Sequence, residues 1–405
     1  MARIAVIVSN PCTGDARVIK MARAAVAGGH EVHVFATSGI NARPFETVQG
    51  VHFHRLDWRP GDLMSFGGLV PLLRRVSRRL AARLIKRLTP FVKYRLFSEV
   101  FAPHVAAIEP DLVHAHDLIC LPAAADAARL AGARLVYDAH ELELHRNPPL
   151  PWLQKKMVGR VEARYTRQAD AVITVGRLVG GELARHIRRD DVHVLYNSPP
   201  LDACPRSIRR DLRLDAQVPL MVYVGKVTTG RGVGDMLALL PKMPGVVFAT
   251  VGPCDLRTRV LLDRQCERLG LTARFRILPP VPFEQVVAYI GGCDLGVISV
   301  EPITLSYRYC MPNKLFELAF ANVPIVSNKL DEIEEFIGEF GNGEVVDFAS
   351  SAALAYTMFR MLEEKPRYVM GPQAQERLHA RYSWAAQSAK LLAIYDAALA
   401  RRAVQ

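Results

Sequence analysis

Twelve short, almost continuously apolar runs, most of them separated by stretches of helical pattern, limit what this chain of 405 residues can become. Six lie in the first half: Ile4–Ser9, Glu31–Ala36, Leu112–His116, Arg134–Asp138, Ala171–Val175 and Val192–Tyr196. Six more follow: Met221–Gly225, Val246–Val251, Phe275–Leu278, Leu295–Ser299, Val323–Val326 and Glu344–Val346. Runs this short, rich in Val, Ile and Ala and without polar alternation, are the mark of strands buried on both faces. Strands of that kind alternating with helices imply parallel sheets covered by helices on both sides. The spacing predicts a first helix that Asp15 caps and Gly28-Gly29 end.

The pattern lapses between Asn197 and Pro219, where NSPPLDACP is dense in turn formers and reads as a linker. The expected organisation is an α/β protein with a first domain over 1–198, a linker over 199–218 and a second domain over 219–383. A last helix over 384–405 crosses back to brace the first domain. Two cores of roughly 180–200 residues each suit a chain of this length. The opening MARIAVIVSN lacks the charge, apolar core and cleavage pattern of a secretory signal. No run approaches the ~20 apolar residues of a membrane span. The seven cysteines are scattered with no metal spacing, which fits inert thiols in a reducing compartment. The expectation is a cytoplasmic protein.

Charge is unevenly placed. Of the net +12, residues 1–200 carry +10 and residues 201–405 only +2. No acid lies between Asp62 and Glu99, while Arg74, Arg75, Arg78, Arg79, Arg83, Lys86, Arg87, Lys93 and Arg95 do, with Leu73, Val76, Leu80, Leu84 and Leu88 at helical spacing. Within the segment 72–98, the part 73–97 can sit peripherally on an anionic membrane surface. It can equally be a solvated helix packed on its own domain through the leucines, and both readings stay open. Few aromatics interleave with these cations, and no nucleic-acid-binding module is present, so a nucleic-acid partner is not expected.

Open α/β sheets bind ligands beyond the carboxyl ends of their strands, so two such sheets make an interdomain cleft the default site. The first strand is followed by SNPCTGDAR and the second series opens with GKVTTGRG. Neither is a GxGxxG fingerprint, and no Walker A lysine loop occurs, which argues against a dehydrogenase or a P-loop enzyme. In CMPNKLFELAFANVPIVSN, Pro312 suits the first turn of a helix whose free N–H groups can hold a diphosphate. Asn313 and Lys314 follow, and Glu317 lies one turn in, where a carboxylate can accept hydrogen bonds from a ribose diol. A capped helix with a solvent-facing Glu has the same pattern. In VGKVTTGRGV, Lys226 and Arg231 sit in a glycine-flanked loop where they can neutralise phosphate oxygens. Surface loops often carry such residues too.

Taken in order, the chain resembles glycosyltransferase family 4, retaining enzymes of the GT-B fold. The segments are NPCTGDARVIKMARAAVAGGHEVHVFA, DLVHAHD, LVYDAHEL, ADAVITV, VLYNSP, VYVGKVTTGRG, CDLGVISV and PNKLFELAFANVPIVSN, which together cover nearly the whole chain. The resemblance implies two Rossmann-like βαβ domains facing across a cleft. It implies a nucleotide-sugar donor, UDP- or GDP-linked, held by the second domain, and an acceptor glycan or lipid-linked saccharide held by the first. By the same resemblance Arg231 grips the donor diphosphate with help from Lys226, Glu317 binds the ribose, Asn313 and Lys314 line the phosphate side, and Leu315 belongs to the donor-binding set. His140, in YDAHE, faces the transferred sugar, and Gly14 lies where the backbone approaches the donor.

His140 beside Asp138 and Glu141 reads equally as a hydrogen-bonded structural histidine, and His114 and His116 read as structural. The family often has a further glutamate eight residues before the ribose-binding one; here that position is Tyr309. The amides of Ser306–Pro312 are then expected to hold the sugar. No cluster has metal spacing, so no metal and no cofactor are expected. The expected activity is retaining, metal-independent transfer in bacterial surface polysaccharide or glycolipid assembly. A transferase acting on a soluble metabolite, a sugar-nucleotide epimerase or hydrolase, and a non-catalytic sugar-nucleotide-binding protein are the alternatives.

Overall fold

In the computed structural model, residues 1–40, 42–58 and 78–401 are described, with side chains from residue 92 onward in the helix Arg78–Ala106. Residues 72–77 of the basic segment, and the side chains of its residues 78–91, lie outside the described residues. The chain divides into two compact units, Met1–Leu195 with Ser388–Gln405, and Tyr196–Gln387.

The first unit is built on strands β1 (Arg3–Ile7), β2 (Glu31–Thr37), β3 (Phe45–Val48), β4 (Val51–Leu56), β5 (Leu112–His116), β6 (Arg134–Ala139), β7 (Ala171–Thr174) and β8 (Val192–Val194). Their order is β3-β4-β2-β1-β5-β6-β7-β8. Every pairing is parallel except the β3–β4 hairpin, closed by Gln49-Gly50 between the paired Val48 and Val51. The central strands bury nearly every side chain; Ile4, Ala5 and Ile7 are fully enclosed. The hairpin alternates instead: Val51, Phe53 and Arg55 are buried and His52, His54 and Leu56 half-buried, as on a sheet edge. The helix Ala16–Ala27 begins where the Asp15 carboxylate accepts from the Val18 N–H at 3.3 Å and ends at Gly28. The last helix, Trp384–Ala400, leaves the second unit and joins the first, where Leu391, Tyr395 and Ala398 are buried.

The second unit carries β9 (Leu220–Val224), β10 (Val247–Val251), β11 (Phe275–Leu278), β12 (Leu295–Ile298), β13 (Ile325–Ser327) and β14 (Gly343–Val345), all parallel, in the order β11-β10-β9-β12-β13-β14. One face packs Met221, Tyr223, Phe248, Leu295 and Val297 against Met236, Leu262, Met358 and Met361. The stretch expected as a linker, 199–218, is instead packed into this unit. It contains the helix Ile208–Leu212. Arg209 donates to the carbonyls of Gly292 (2.6 Å), Asp215 (2.8 Å) and Val218 (3.0 Å) and pairs with Asp294. Arg209, the buried Ile208 and the Tyr289 hydroxyl on Asp211 hold it where an apolar repeat is lacking, so the hydrophobic pattern alone gives no sign of the packing.

Candidate functional site

In each sheet one strand has neighbours whose connections run in opposite directions: β1 between β2 and β5, and β9 between β10 and β12. Beyond the carboxyl ends of such strands the loops diverge and open a crevice. In the second unit this point is the loop 225–232. Tyr223 donates its hydroxyl to the Lys226 carbonyl at 3.2 Å, and the Ser299 hydroxyl at the end of β12 donates to the Arg231 carbonyl at 2.7 Å. Gly232 takes φ 72, and a Cβ there would stand 2.5 Å from the Cβ of Ser299. The backbone of Arg231 is thus pinned by Ser299 while its side chain, like that of Lys226, is exposed.

The helix Asn313–Phe320 starts beside this loop, with extended Pro312 as its N-cap. Lys314 is buried, its ammonium 3.6 Å from the centroid of the Tyr223 ring, and a Cβ at Gly225 would stand 3.8 Å from its Cε. Burial, reinforced by the positive charge of Arg231 and only partly offset by Glu317, pushes the lysine down to about 7. Asn313 is exposed and accepts from the Asn197 amide at 2.6 Å, and Glu317 is half-buried one turn along. The neighbouring Cys310 thiol is raised to about 12 by burial, against the opposing pull of Lys314 and Arg231, so it stays protonated.

Leu315 departs from expectation. Its side chain is fully buried in the core, and its N–H is donated to the Pro312 carbonyl at 2.9 Å. The amides of Arg308, Tyr309 and Cys310 are likewise already committed, to Thr304, Leu305 and Tyr307 carbonyls, because Leu305–Arg308 folds as a helical turn capped by Thr304. Those three amides are therefore not offered to a sugar, which narrows the expectation placed on Ser306–Pro312. A cavity of about 610 Å³ opens beside Gly232 and Ser299. Asp235, Glu301 and Asp347 line it against a single cation, Lys242, so acids predominate, a poor lining for a phosphate.

In the first unit the equivalent crevice holds the loop after β1 and the ends of β5 and β6. Gly14 is exposed, and an added Cβ would meet nothing within 4 Å, so the loop geometry does not demand a glycine there. The loop is shaped by Asn10, which donates to Asp15 at 2.8 Å and accepts the Cys12 N–H at 2.7 Å. His140 follows β6 and is 22% exposed. Its Nε2 lies 2.9 Å from Nδ1 of His116 and 3.4 Å from the Asp138 carboxylate, and its Nδ1 lies 3.4 Å from Asp117.

Asp138 is fully buried and takes a two-pronged bond from Arg17, at 2.8 Å to each oxygen. Burial alone would raise its carboxyl, but Arg17 and His140 hold it well below the usual range. Burial also opposes charge on His140, yet Asp117 and Asp138 outweigh it and lift the imidazole above its ordinary value. Behind them, burial lowers His116 and, with His116 adding to the effect, lowers His114, which meets the Tyr395 hydroxyl of the last helix at 2.7 Å.

Among the described residues, His114, His116 and Asp138 are the one trio of ligand-type residues close enough for a shared cation, their atoms within 4.8 Å. Arg17 already occupies both Asp138 oxygens, so the positive charge of this cluster is a guanidinium. Sequence reasoning singled out His140 and named Asp138 only as its chain neighbour, and it missed Arg17 and Asp117. The available signal was the repeated placing of polar residues at strand ends, HAHD and YDAH, where buried strands otherwise read apolar.

Residues 16–202 match the model of Glycosyltransferase Family 4. A D-inositol 3-phosphate glycosyltransferase of Salinispora tropica is 24% identical, across 96% of this chain and 83% of its own length. Two solved structures share the fold. Sucrose-phosphate synthase of Thermosynechococcus elongatus has a TM-score of 0.74 at 16% identity, covering 99% of this chain and 100% of its own. HepE of Anabaena, in complex with UDP-glucose, has a TM-score of 0.71 at 15% identity, covering 98% and 100%.

Proposed function

We propose that this chain is a glycosyltransferase of family 4 with the GT-B fold that takes a UDP-sugar and passes the sugar to a hydroxyl acceptor with retention of configuration. The observation that carries the donor reading is the convergence at the end of β9 of Lys226, Arg231, Lys314 and the N-terminus of Asn313–Phe320, with Glu317 one turn in. That set matches a diphosphate and the ribose beside it. Arg231 and Lys226 hold the diphosphate, Glu317 the ribose diol, and Asn313 and Lys314 the phosphate side. In the first unit His140 faces the sugar, and the Gly14 loop meets the donor through its backbone. The uracil base is favoured because a relative of the same fold binds UDP-glucose.

In the reaction the bond from the sugar's anomeric carbon to the phosphate oxygen breaks. A bond from that carbon to the acceptor oxygen forms on the same face. The acceptor's proton passes to the departing diphosphate. No covalent sugar–enzyme step is needed, so the protein's work is to stabilise charge growing on the diphosphate. Three cationic side chains and a helix end supply that charge, which supports transfer without a metal.

Two acceptors have support. The basic sequence 73–97 favours a saccharide carried on lipid at an anionic membrane. The likeness to a D-inositol 3-phosphate glycosyltransferase, across 96% of this chain, favours a small phosphorylated polyol. No helix among the described residues is long and apolar enough to cross a membrane. Flotation with vesicles of phosphatidylglycerol separates the two: binding supports the lipid-linked acceptor, and its absence leaves the soluble one.

The donor site is tested by thermal shift with UDP, GDP, ADP and TDP, with and without EDTA. A ligand held only by the native state raises apparent stability by mass action. The expected result is stabilisation by UDP, insensitive to EDTA and lost in Glu317→Ala. A cooperatively folded protein stabilised by none of the four would overturn the donor reading.

Lys314 gives the site a pH signature. With the lysine near 7 in the free protein, a diphosphate arriving at pH 8 draws a proton onto it, because the ion pair favours the ammonium. UDP affinity should then fall from pH 7 to pH 9. Calorimetry at pH 8 in buffers of different ionisation enthalpy should show proton uptake approaching one per UDP, abolished in Lys314→Met. Identical heats across buffers for the native protein would refute this role.

A further inference from the structure

If His140 faces the transferred sugar, something must hold its ring; of the groups that touch it, His116 and Asp138 are buried and Asp117 is half-exposed. We propose that Arg17, Asp138 and His116 form a positioning unit that fixes the ring orientation of His140. This rests on the reading of His140 given above and assigns roles to three residues beneath it.

The geometry is a chain of constraints. Arg17 holds both oxygens of Asp138 at 2.8 Å and is itself tied to the Leu195 carbonyl at 2.9 Å, so the carboxylate cannot swivel. Its Oδ2 is one corner of a triangle whose others are His116 Nδ1, at 3.3 Å, and His140 Nε2, at 3.4 Å. The two ring nitrogens are 2.9 Å apart. Only one proton fits between nitrogens at that distance, so one ring donates and the other accepts, and the tilt of His140 follows the fixed ring of His116. His116 is enclosed, with its ring centroid 4.4 Å from that of His114, and His114 is bonded to Tyr395. The opposite edge of His140 meets Asp117. That residue takes φ 64, outside the usual range for aspartate, and its carboxylate accepts the His140 backbone N–H at 3.2 Å. Glu141, next in the chain, is a further charged neighbour of His140, and Asp15 acts on His116. A fork from arginine and a strained aspartate clamp the ring from two sides, which is more than burial of a structural histidine requires.

The test compares His116→Leu, which fills the space without a hydrogen bond, with His116→Asn, whose amide reaches the place of the lost Nδ1. Turnover is read as UDP release from UDP-glucose, and the ring nitrogens of His140 by ¹⁵N NMR, which needs no substrate. His116→Leu should lower kcat by roughly 10- to 100-fold with donor KM within about twofold, and should remove the hydrogen-bonded signature of His140 Nε2. His116→Asn should restore most of both. The opposite ranking, or unchanged His140 signals in His116→Leu, would show a packing role only and overturn the proposal. So would stoichiometric zinc in the purified protein, because Asp138 and His116 would then serve the metal. Should His116→Leu not fold, Arg17→Lys keeps the buried charge but loses the fork, and the same loss of kcat is expected. Normal turnover in His140→Ala would instead defeat the reading of His140 itself, while UDP stabilisation reports separately on the donor site.

Discussion

Replacing Arg231 with alanine should lower kcat/KM for transfer by a factor on the order of 10²–10³, the usual loss when one preorganised donor to a developing negative charge is removed. The side chain is exposed and the backbone is held independently of it, by Ser299 donating to the Arg231 carbonyl at 2.7 Å. Thermal stability should therefore stay near that of the native protein, which separates lost chemistry from lost folding. Arg231→Lys restores the charge but not the fork that grips two phosphate oxygens, so it should recover only part of the rate. UDP affinity should fall as well, though less than kcat/KM, since charge on the diphosphate peaks as the sugar departs. Lys314 adds a second readout. Arg231 is one of the groups pressing its ammonium toward neutrality, so Arg231→Ala should raise the pKa of Lys314. Proton uptake on UDP binding at pH 8 should shrink accordingly. Near-normal transfer by folded Arg231→Ala protein would remove this residue from the diphosphate site.

The regular elements were legible because buried parallel strands leave the plainest mark a sequence can carry. All twelve apolar runs became strands, the boundaries shifting by a residue or two where strand ends turn into loops. The β3–β4 hairpin escaped because its alternation is short and its residues, FETV and VHFHRL, mix histidine, glutamate and arginine with the apolar ones. Arg55 shows why: it is buried yet charged, and is satisfied by the Pro11 and Arg43 carbonyls and by Glu46. Such compensation arises only from tertiary neighbours. The same limit hid the cluster under His140. Arg17 sits in a helix that reads as amphipathic and Asp138 at the end of an apolar strand, 121 residues apart, and only the fold brings them to 2.8 Å. Leu315 errs in the other direction. Its place in the first turn of the helix Asn313–Phe320 was legible, but helical geometry turns that side chain into the core.

The largest structural effect is expected at a position with no side chain. Gly252 ends β10 at φ 150, and a Cβ placed there would lie 2.2 Å from the Gly225 carbonyl oxygen and 2.7 Å from its carbon. A clash with the tip of a flexible side chain can relax; one with backbone moves a loop. Gly225 cannot yield cheaply, because its N–H is donated to the Val251 carbonyl at 2.9 Å and the next turn is tied by Val227 N–H to the Pro253 carbonyl at 2.9 Å. Gly252→Ala should therefore cost about 2–4 kcal/mol, from overpacking together with an unfavourable backbone conformation. For a unit of this size that is a fall in Tm of roughly 5–15 °C. The displaced segment is the one that carries Lys226 and Arg231, so UDP should lose most of its stabilising effect even at temperatures where the protein remains folded. Gly14→Ala is the matched control. It too alters a loop after a central strand, but its Cβ would meet nothing within 4 Å, and its stability should stay within about 0.5 kcal/mol of the native protein. If Gly252→Ala melted with the native protein and still bound UDP, the contact between the β9 and β10 loops would not be what holds the cationic loop in place. Its rigidity would then have to come from the Ser299 side alone.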